Sequence, residues 1–365
     1  MMSMLSPKSA AVTGTLICAL GMQIAGSAAQ RSTAATAVHA TTSLTTPLPG
    51  AATMPLWTGA DPWITRHDGI YWGCESRRNR ISVWRSSLPT VRGEPHVIWR
   101  APTDGWNSAE IWAPELHFVR GRWYVYYAAS TGVNATHRMG VLECQGTDPA
   151  AGPWVDRGML YTGDDPVGRR DNHWAIDGTI LERGDQLYFV WSGWADDRDI
   201  QYLYIAPMSD PATVSGPRVR ICANDDYDWE RVGDDHAQRG LQEGPAFLRR
   251  NGRTFLIYSC SGSWQRTYKL GMLWAADAAD PLDPRSWHKI AHPVFESSQA
   301  VVGVGHCSFT STADGQDWIV YHAKTSRREG WSRVVRMQPF GWGVDGFPEF
   351  GVPGEIKETT VRRAG

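Results

Sequence analysis

The chain has 365 residues, with 36 Lys and Arg against 38 Asp and Glu, for a formal net charge of −2. That balance excludes a surface built on bulk charge for nucleic acid, an anionic membrane or an acidic polymer. Aromatic residues make up 11%, including 19 Trp, which suits the packed faces of β-sheets and, at a few positions, rings that stack on the C–H face of a sugar.

The N-terminus reads as an export signal over 1–29, which makes the expected location extracellular. Lys8 is its one early charge, 10–26 is largely apolar, and Ser27, Ala28 and Ala29 offer small residues for cleavage. Cys18 follows Ile17, too large for a lipoprotein site. Residues 30–55, rich in Thr, Ala, Ser and Pro without an apolar period, read as a disordered linker. Beyond Cys18 remain Cys74, Cys144, Cys222, Cys260 and Cys307. An odd number leaves at least one thiol unpaired, and no Cys/His spacing suggests zinc.

From 56 onward the chain repeats one pattern: a polar lead residue, an apolar strand, a turn and a second strand. In the first repeat Asp61-Pro62-Trp63 leads, with further strands at 81–86 and 96–100. The second, 111–162, carries Trp112-Ala113-Pro114-Glu115, an outer strand at 139–143 and Trp154 in a connection. The third, 174–222, shows the pattern best. Asp177-Gly178 precedes a strand at 179–181, a polar Gly turn at 182–186 and an aromatic strand at 187–191. Residues 223–240, rich in Asp, read as a long loop near the mouth. The fourth repeat spans 241–293 behind Glu243, and the fifth 302–340 behind His306. The segment 342–353 is expected to close the ring near the first repeat, leaving 354–365 as a tail. No segment reads as a long amphipathic helix.

Asp61, Glu115, Asp177, Glu243 and His306 recur roughly every sixty residues, the signature of a five-bladed β-propeller, an all-β fold. Placed at the start of each innermost strand, they are expected to converge on one end of the central channel. Hydrolysing a glycosidic bond needs one protonated carboxyl to serve the leaving oxygen and one ionised carboxylate to activate water or attack. Crowded acids in a funnel supply the required separation of pKa values.

The motifs Ala60-Asp61-Pro62-Trp63, Trp112-Ala113-Pro114-Glu115, Ala175-Ile176-Asp177-Gly178, Glu243-Gly244-Pro245 and Gly305-His306, in this order, resemble glycoside hydrolase family 43 across 56–353. The resemblance implies a five-bladed propeller with a central funnel-shaped active site and inversion at the anomeric carbon. It implies that Asp61 is the general base, that Asp177 tunes and orients the acid, and that Glu243 is the general acid. His306 would face the axis, where relatives hold a calcium ion or water; the chemistry itself requires no cofactor. Arg333 matches an arginine that binds sugar hydroxyls, with Arg336 as competitor. Trp112 and Glu115 would sit beside the mouth as substrate-binding residues, Glu115 holding neighbouring groups rather than transferring a proton. Cys307 and Gly178 depart from the residues common at those positions in similar sequences.

The run from Glu243-Gly244-Pro245 through Tyr258-Ser259, Ser308-Phe309-Thr310 and Trp318-Ile319-Val320-Tyr321-His322 resembles the exo-acting α-L-arabinofuranosidase branch. A β-xylosidase or other pentosidase or galactosidase is the alternative. A non-catalytic carbohydrate-binding propeller would lack one of the acid–base pair, and this chain keeps both. A retaining fructosidase would need a Glu-Cys pair at the axis; Glu143-Cys144 follows an expected outer strand instead. The expected partner is a plant polysaccharide or oligosaccharide, and the expected state a monomer.

Overall fold

The computed structural model describes residues 54–195, 200–232 and 240–355. The export signal, nearly all of the linker, the end of the tail and 233–239 of the long loop lie outside the described residues.

A short first strand, β1 (Trp57–Thr58), precedes the blades. Blade one is β2 (Trp63–His67), β3 (Ile70–Arg77), β4 (Arg80–Ser86) and β5 (His96–Arg100). Blade two is β6 (Ala109–Val119), β7 (Arg122–Ser130), β8 (Arg138–Cys144) and β9 (Trp154–Met159). Blade three is β10 (Ala175–Arg183), β11 (Gln186–Trp194), β12 (Gln201–Asp210), β13 (Thr213–Val214) and β14 (Val219–Cys222). Blade four is β15 (Gln242–Arg250), β16 (Arg253–Cys260), β17 (Lys269–Ala276) and β18 (His288–Lys289). Blade five holds β19 (Gly305–Ser311), β20 (Asp317–Lys324), β21 (Arg333–Trp342) and β22 (Pro348–Glu349). Each blade is antiparallel with its strands numbered outward from the axis, except that in blade three β13 and β14 both pair with β12. Among the described residues the helical elements are short 3₁₀ turns.

The innermost hairpins close on turns that demand positive φ. Asp68-Gly69, Arg120-Gly121 and Asn251-Gly252 all place both central residues in the left-handed region. That is the type I′ geometry, whose twist matches the flanking strands. Five apolar layers then fill the five blade interfaces. Trp72, Trp123 and Leu142 pack between blades one and two, and Tyr126, Phe189 and Trp191 between two and three. Val190, Leu256 and Tyr258 pack between three and four, and Phe255, Ile319 and Phe340 between four and five. Ile64, Trp84, Trp318 and Met337 fill the last interface. All five described cysteines are buried and unpaired.

Two expectations are corrected. The ring is closed by β1, which pairs with β21 through Trp57↔Val335 and Thr58↔Val334. The segment at 342–353 instead folds back on its own blade, where β22 pairs with β21 through Gly341↔Glu349. Trp154 lies not in a connection but at the start of β9, opposite Cys144. The residues of β9 are partly or fully exposed and carry little alternation, which left the strand without a sequence signal.

Candidate active site

Positive φ marks the start of every innermost strand, at Asp61 just before β2, at Ala113 (with Glu110 also positive) in β6, at Asp177 in β10, at Gly244 in β15 and at His306 in β19. In blades two to five the pairing with the next strand slips there, between Trp112 and Glu115, Ile176 and Thr179, Glu243 and Ala246, and Gly305 and Cys307. These β-bulges re-aim side chains toward the axis. They also reorder the repeat. Asp61, Asp177 and His306 occupy the left-handed position itself. Glu243 stands one residue before it, and Glu115 two residues after Ala113.

The difference decides which acids meet. Asp61, Asp177, Glu243, His306, Arg333 and Trp112 line one cavity of about 1020 Å³. Glu115 does not line it, and its expected place beside the substrate is corrected. It is 3% exposed, its carboxylate lies 2.8 Å from His117 Nε2, and burial holds its pKa well above the usual carboxylate range. Glu115 thus braces the inner strands. Arg336 is absent from the cavity lining.

Asp61 is wrapped in cationic and polar partners. Its Oδ1 lies 3.3 Å from Arg333 Nη1 and 3.3 Å from His306 Nδ1. His322 Nδ1 lies 3.2 Å from the Asp61 main-chain nitrogen and 3.2 Å from its Oδ1, accepting from the first or donating to the second according to its tautomer. Burial alone would raise the Asp61 pKa, but Arg333, His306 and His322 together reverse that and hold it well below the usual range. Burial lowers His306, and pushes His322 down to about 4.

Glu243 has the opposite surroundings. Its Oε1 accepts the Tyr268 hydroxyl at 2.8 Å. Burial raises its pKa to about 7; the Tyr268 hydrogen bond opposes this and the Asp61 charge adds to it. Asp177, 3% exposed, accepts the Gly244 main-chain N–H at 3.0 Å. Burial, then the charges of Glu243 and Asp61, raise its pKa well above normal. Two buried acids that repel each other titrate as a pair, and the pair gives up its protons late. A Cβ on Gly244 would meet the His306 ring at 3.1 Å on a backbone with φ +55°, so a side chain there would be strained and crowd the imidazole.

Three contributors were not singled out from the sequence. His322 sits in the apolar run of β20, where an imidazole is the one visible irregularity. Tyr268, just before β17, stacks on His322 with ring centroids 5.4 Å apart. Gln201 lines the cavity and donates to Ser192, which in turn donates to the main chain of Gln242. Nothing in their spacing marks them.

The described residues around His306 offer an axial calcium few of the oxygens it prefers. Calcium takes six to eight oxygen ligands, whereas His306 offers imidazole nitrogen. Carboxylate oxygens of Asp61 and Asp177 lie 3.3 Å and 3.8 Å from its Nδ1. Among the described residues, the one grouping of three side chains close enough to share an ion is Asp164, Asp171 and His173, which does not include His306.

A ring of five blades, with three carboxyls of opposed pKa shifts lining one cavity, Asp61 pushed down and Asp177 and Glu243 pushed up, defines the class: a propeller equipped for acid–base chemistry. The sequence profile of Glycosyl hydrolases family 43 matches residues 54–348, and the chain belongs to that family. It is 35% identical over 319 residues to α-L-arabinofuranosidase 43 of Humicola insolens, covering 83% of this chain. It is 36% identical over 320 residues to an extracellular exo-α-(1→5)-L-arabinofuranosidase of Streptomyces avermitilis, again covering 83% of this chain. The match spans 63% of the length of each of these two relatives. The crystal structure of an α-L-arabinofuranosidase from Lactobacillus brevis superposes with a TM-score of 0.74 at 35% identity, covering 84% of this chain and 98% of that one.

Proposed function

We propose that the protein is a secreted, exo-acting, inverting α-L-arabinofuranosidase that releases terminal arabinofuranosyl residues from arabinan or arabinose-decorated plant polysaccharide. The observation that carries the reading is the contrast between two carboxyls in one cavity: Asp61 lies against Arg333, His306 and His322, which lower its pKa, whereas Glu243 is buried against Tyr268 and burial raises its pKa to about 7. The relatives named as arabinofuranosidases support the glycone, and the extracellular one supports secretion.

In this mechanism Asp61 accepts a proton from a water as its oxygen bonds to the anomeric carbon. The glycosidic C–O bond breaks, and Glu243 gives its proton to the departing oxygen. Asp177, which accepts the Gly244 main-chain N–H beside Glu243, orients the acid and titrates with it as a pair. Arg333 orients sugar hydroxyls and keeps Asp61 charged, at some cost in basicity. An inverting pair leaves room for that water with carboxyls about 6.5–9.5 Å apart.

The test is direct. The exported protein is assayed on aryl α-L-arabinofuranoside and aryl β-D-xyloside side by side, with linear arabinan added. The arabinoside is expected to be cleaved at least tenfold faster, with arabinose released from arabinan ends. Preference for the xyloside would overturn the glycone, and internal cleavage of arabinan the exo action.

A further inference from the structure

We propose that Trp264 and Trp331 form a platform that binds the sugar on the leaving-group side of the scissile bond, and that Lys324 is its positioning residue. The proposal rests on the glycosidase reading above. Both rings line the cavity, their centroids 5.7 Å apart and their planes at 48°. Trp331 is 64% exposed, a large apolar surface left facing water at the mouth. Its ring also lies 5.5 Å from the Arg333 guanidinium, which grips Asp61. The platform is therefore continuous with the catalytic floor.

Its placement beside the acid follows from connectivity. Trp264 lies just beyond β16, whose Ser259 pairs with Glu243 in β15. A ring carried by the acid's own blade stands near the point where the departing oxygen takes its proton. Trp331 comes from the β20–β21 hairpin of the neighbouring blade. A flat apolar ring there suits the C–H face of the next sugar in a chain.

The two loops are fastened to each other. Gly330 N–H donates to the Trp264 carbonyl at 2.8 Å, and Gln265 Nε2 to Glu329 Oε1 at 3.1 Å. Lys324, 7% exposed, turns its ammonium to the Trp264 carbonyl at 2.6 Å and to the Gly330 carbonyl. A buried charge is costly unless well solvated by such groups. Here those groups are the main chains of the two segments that present the rings, and this fixes the angle between them.

The test compares methyl α-L-arabinofuranoside, which has no sugar on the leaving side, with α-1,5-linked arabinotriose. Trp331→Ala is expected to lower kcat/KM for the triose about tenfold more than for the methyl glycoside, equivalent to about 1.4 kcal/mol. Trp331→Phe, which keeps a ring, should recover most of that difference. Lys324→Met is expected to act in the same direction, mainly through KM. Equal losses on both substrates, or no recovery with Phe, would overturn the platform. If the wild type instead cleaves methyl β-xyloside and xylotriose, the glycone proposed above fails and the platform is judged on the same ratio with that pair. Cleavage of neither pair would overturn both.

Discussion

What surrounds each carboxyl decides its role. Asp61 has a guanidinium and two imidazoles within hydrogen-bonding range, whereas Glu243 has a tyrosine hydroxyl and low-dielectric walls. Glu243→Gln is expected to lower hydrolysis by about 10²–10⁴-fold on substrates with poor leaving groups, and less on activated aryl glycosides, whose leaving group needs no proton. Asp61→Asn should lower both alike, because both need the water. Equal damage from Glu243→Gln on the two substrate types would reverse the assignment. The acid must be protonated, so activity should fall as pH rises through about 7, the value to which burial lifts Glu243. Asp177→Asn removes the second titrating member of the pair, so the alkaline limb should reduce to the single ionisation of Glu243; pH–rate profiles of both proteins check this. Stability has the same sign. Between its ordinary value and about 7, Glu243 binds its proton more tightly folded than unfolded, so it contributes stability at low pH that is lost as pH rises through the folded value. Glu243→Gln should therefore gain in melting temperature over the wild type more at pH 8 than at pH 5.

At the scale of elements, one loop shows how the cavity wall is held. Glu230, 0% exposed, accepts hydrogen bonds from Gln242 and Tyr258, each at 2.8 Å, and from Lys289. Lys289 also reaches the Ala223 carbonyl and Asp226. This fastens the described part of the long loop beside β15, one residue from Glu243. Lys289→Met leaves the carboxylate buried without its cation and is expected to cost about 3–5 kcal/mol in denaturant unfolding. Adding Glu230→Gln should return part of that loss.

The elements also show what was readable in advance. Turn chemistry and aromatic strands exposed the hairpins, and the recurrence of acids before them exposed the blades. The bulges were not readable from alternation, because a single inserted residue shifts every later side chain to the other face. Aligning the repeats on their acids placed Glu115 and Glu243 at one position, whereas the backbone aligns Ala113 with Gly244. Gly244 was the available signal, a glycine where the other blades strain a side chain into positive φ. His322 and Tyr268 reach the site across the ring, and no local pattern reports such contacts.

For the whole molecule, closure depends on a strand of two residues. β1 zips blade five, and its Trp57 meets Trp84 of blade one edge-on, with ring centroids 5.8 Å apart. Trp57→Ala is expected to cost about 2 kcal/mol in thermal or denaturant unfolding, below the usual loss for a fully buried Trp because this ring is partly exposed. A loss near zero would mean that β22 suffices to hold the last blade. The ring in turn sets the distance between Asp61 on blade one and Glu243 on blade four, and that separation governs stereochemistry. The measurement that bears most directly on the account is proton NMR of the first-formed sugar from an α-L-arabinofuranoside, recorded before mutarotation. Inversion by Asp61-activated water predicts β-L-arabinofuranose as the initial product, and initial release of the α-anomer would contradict it.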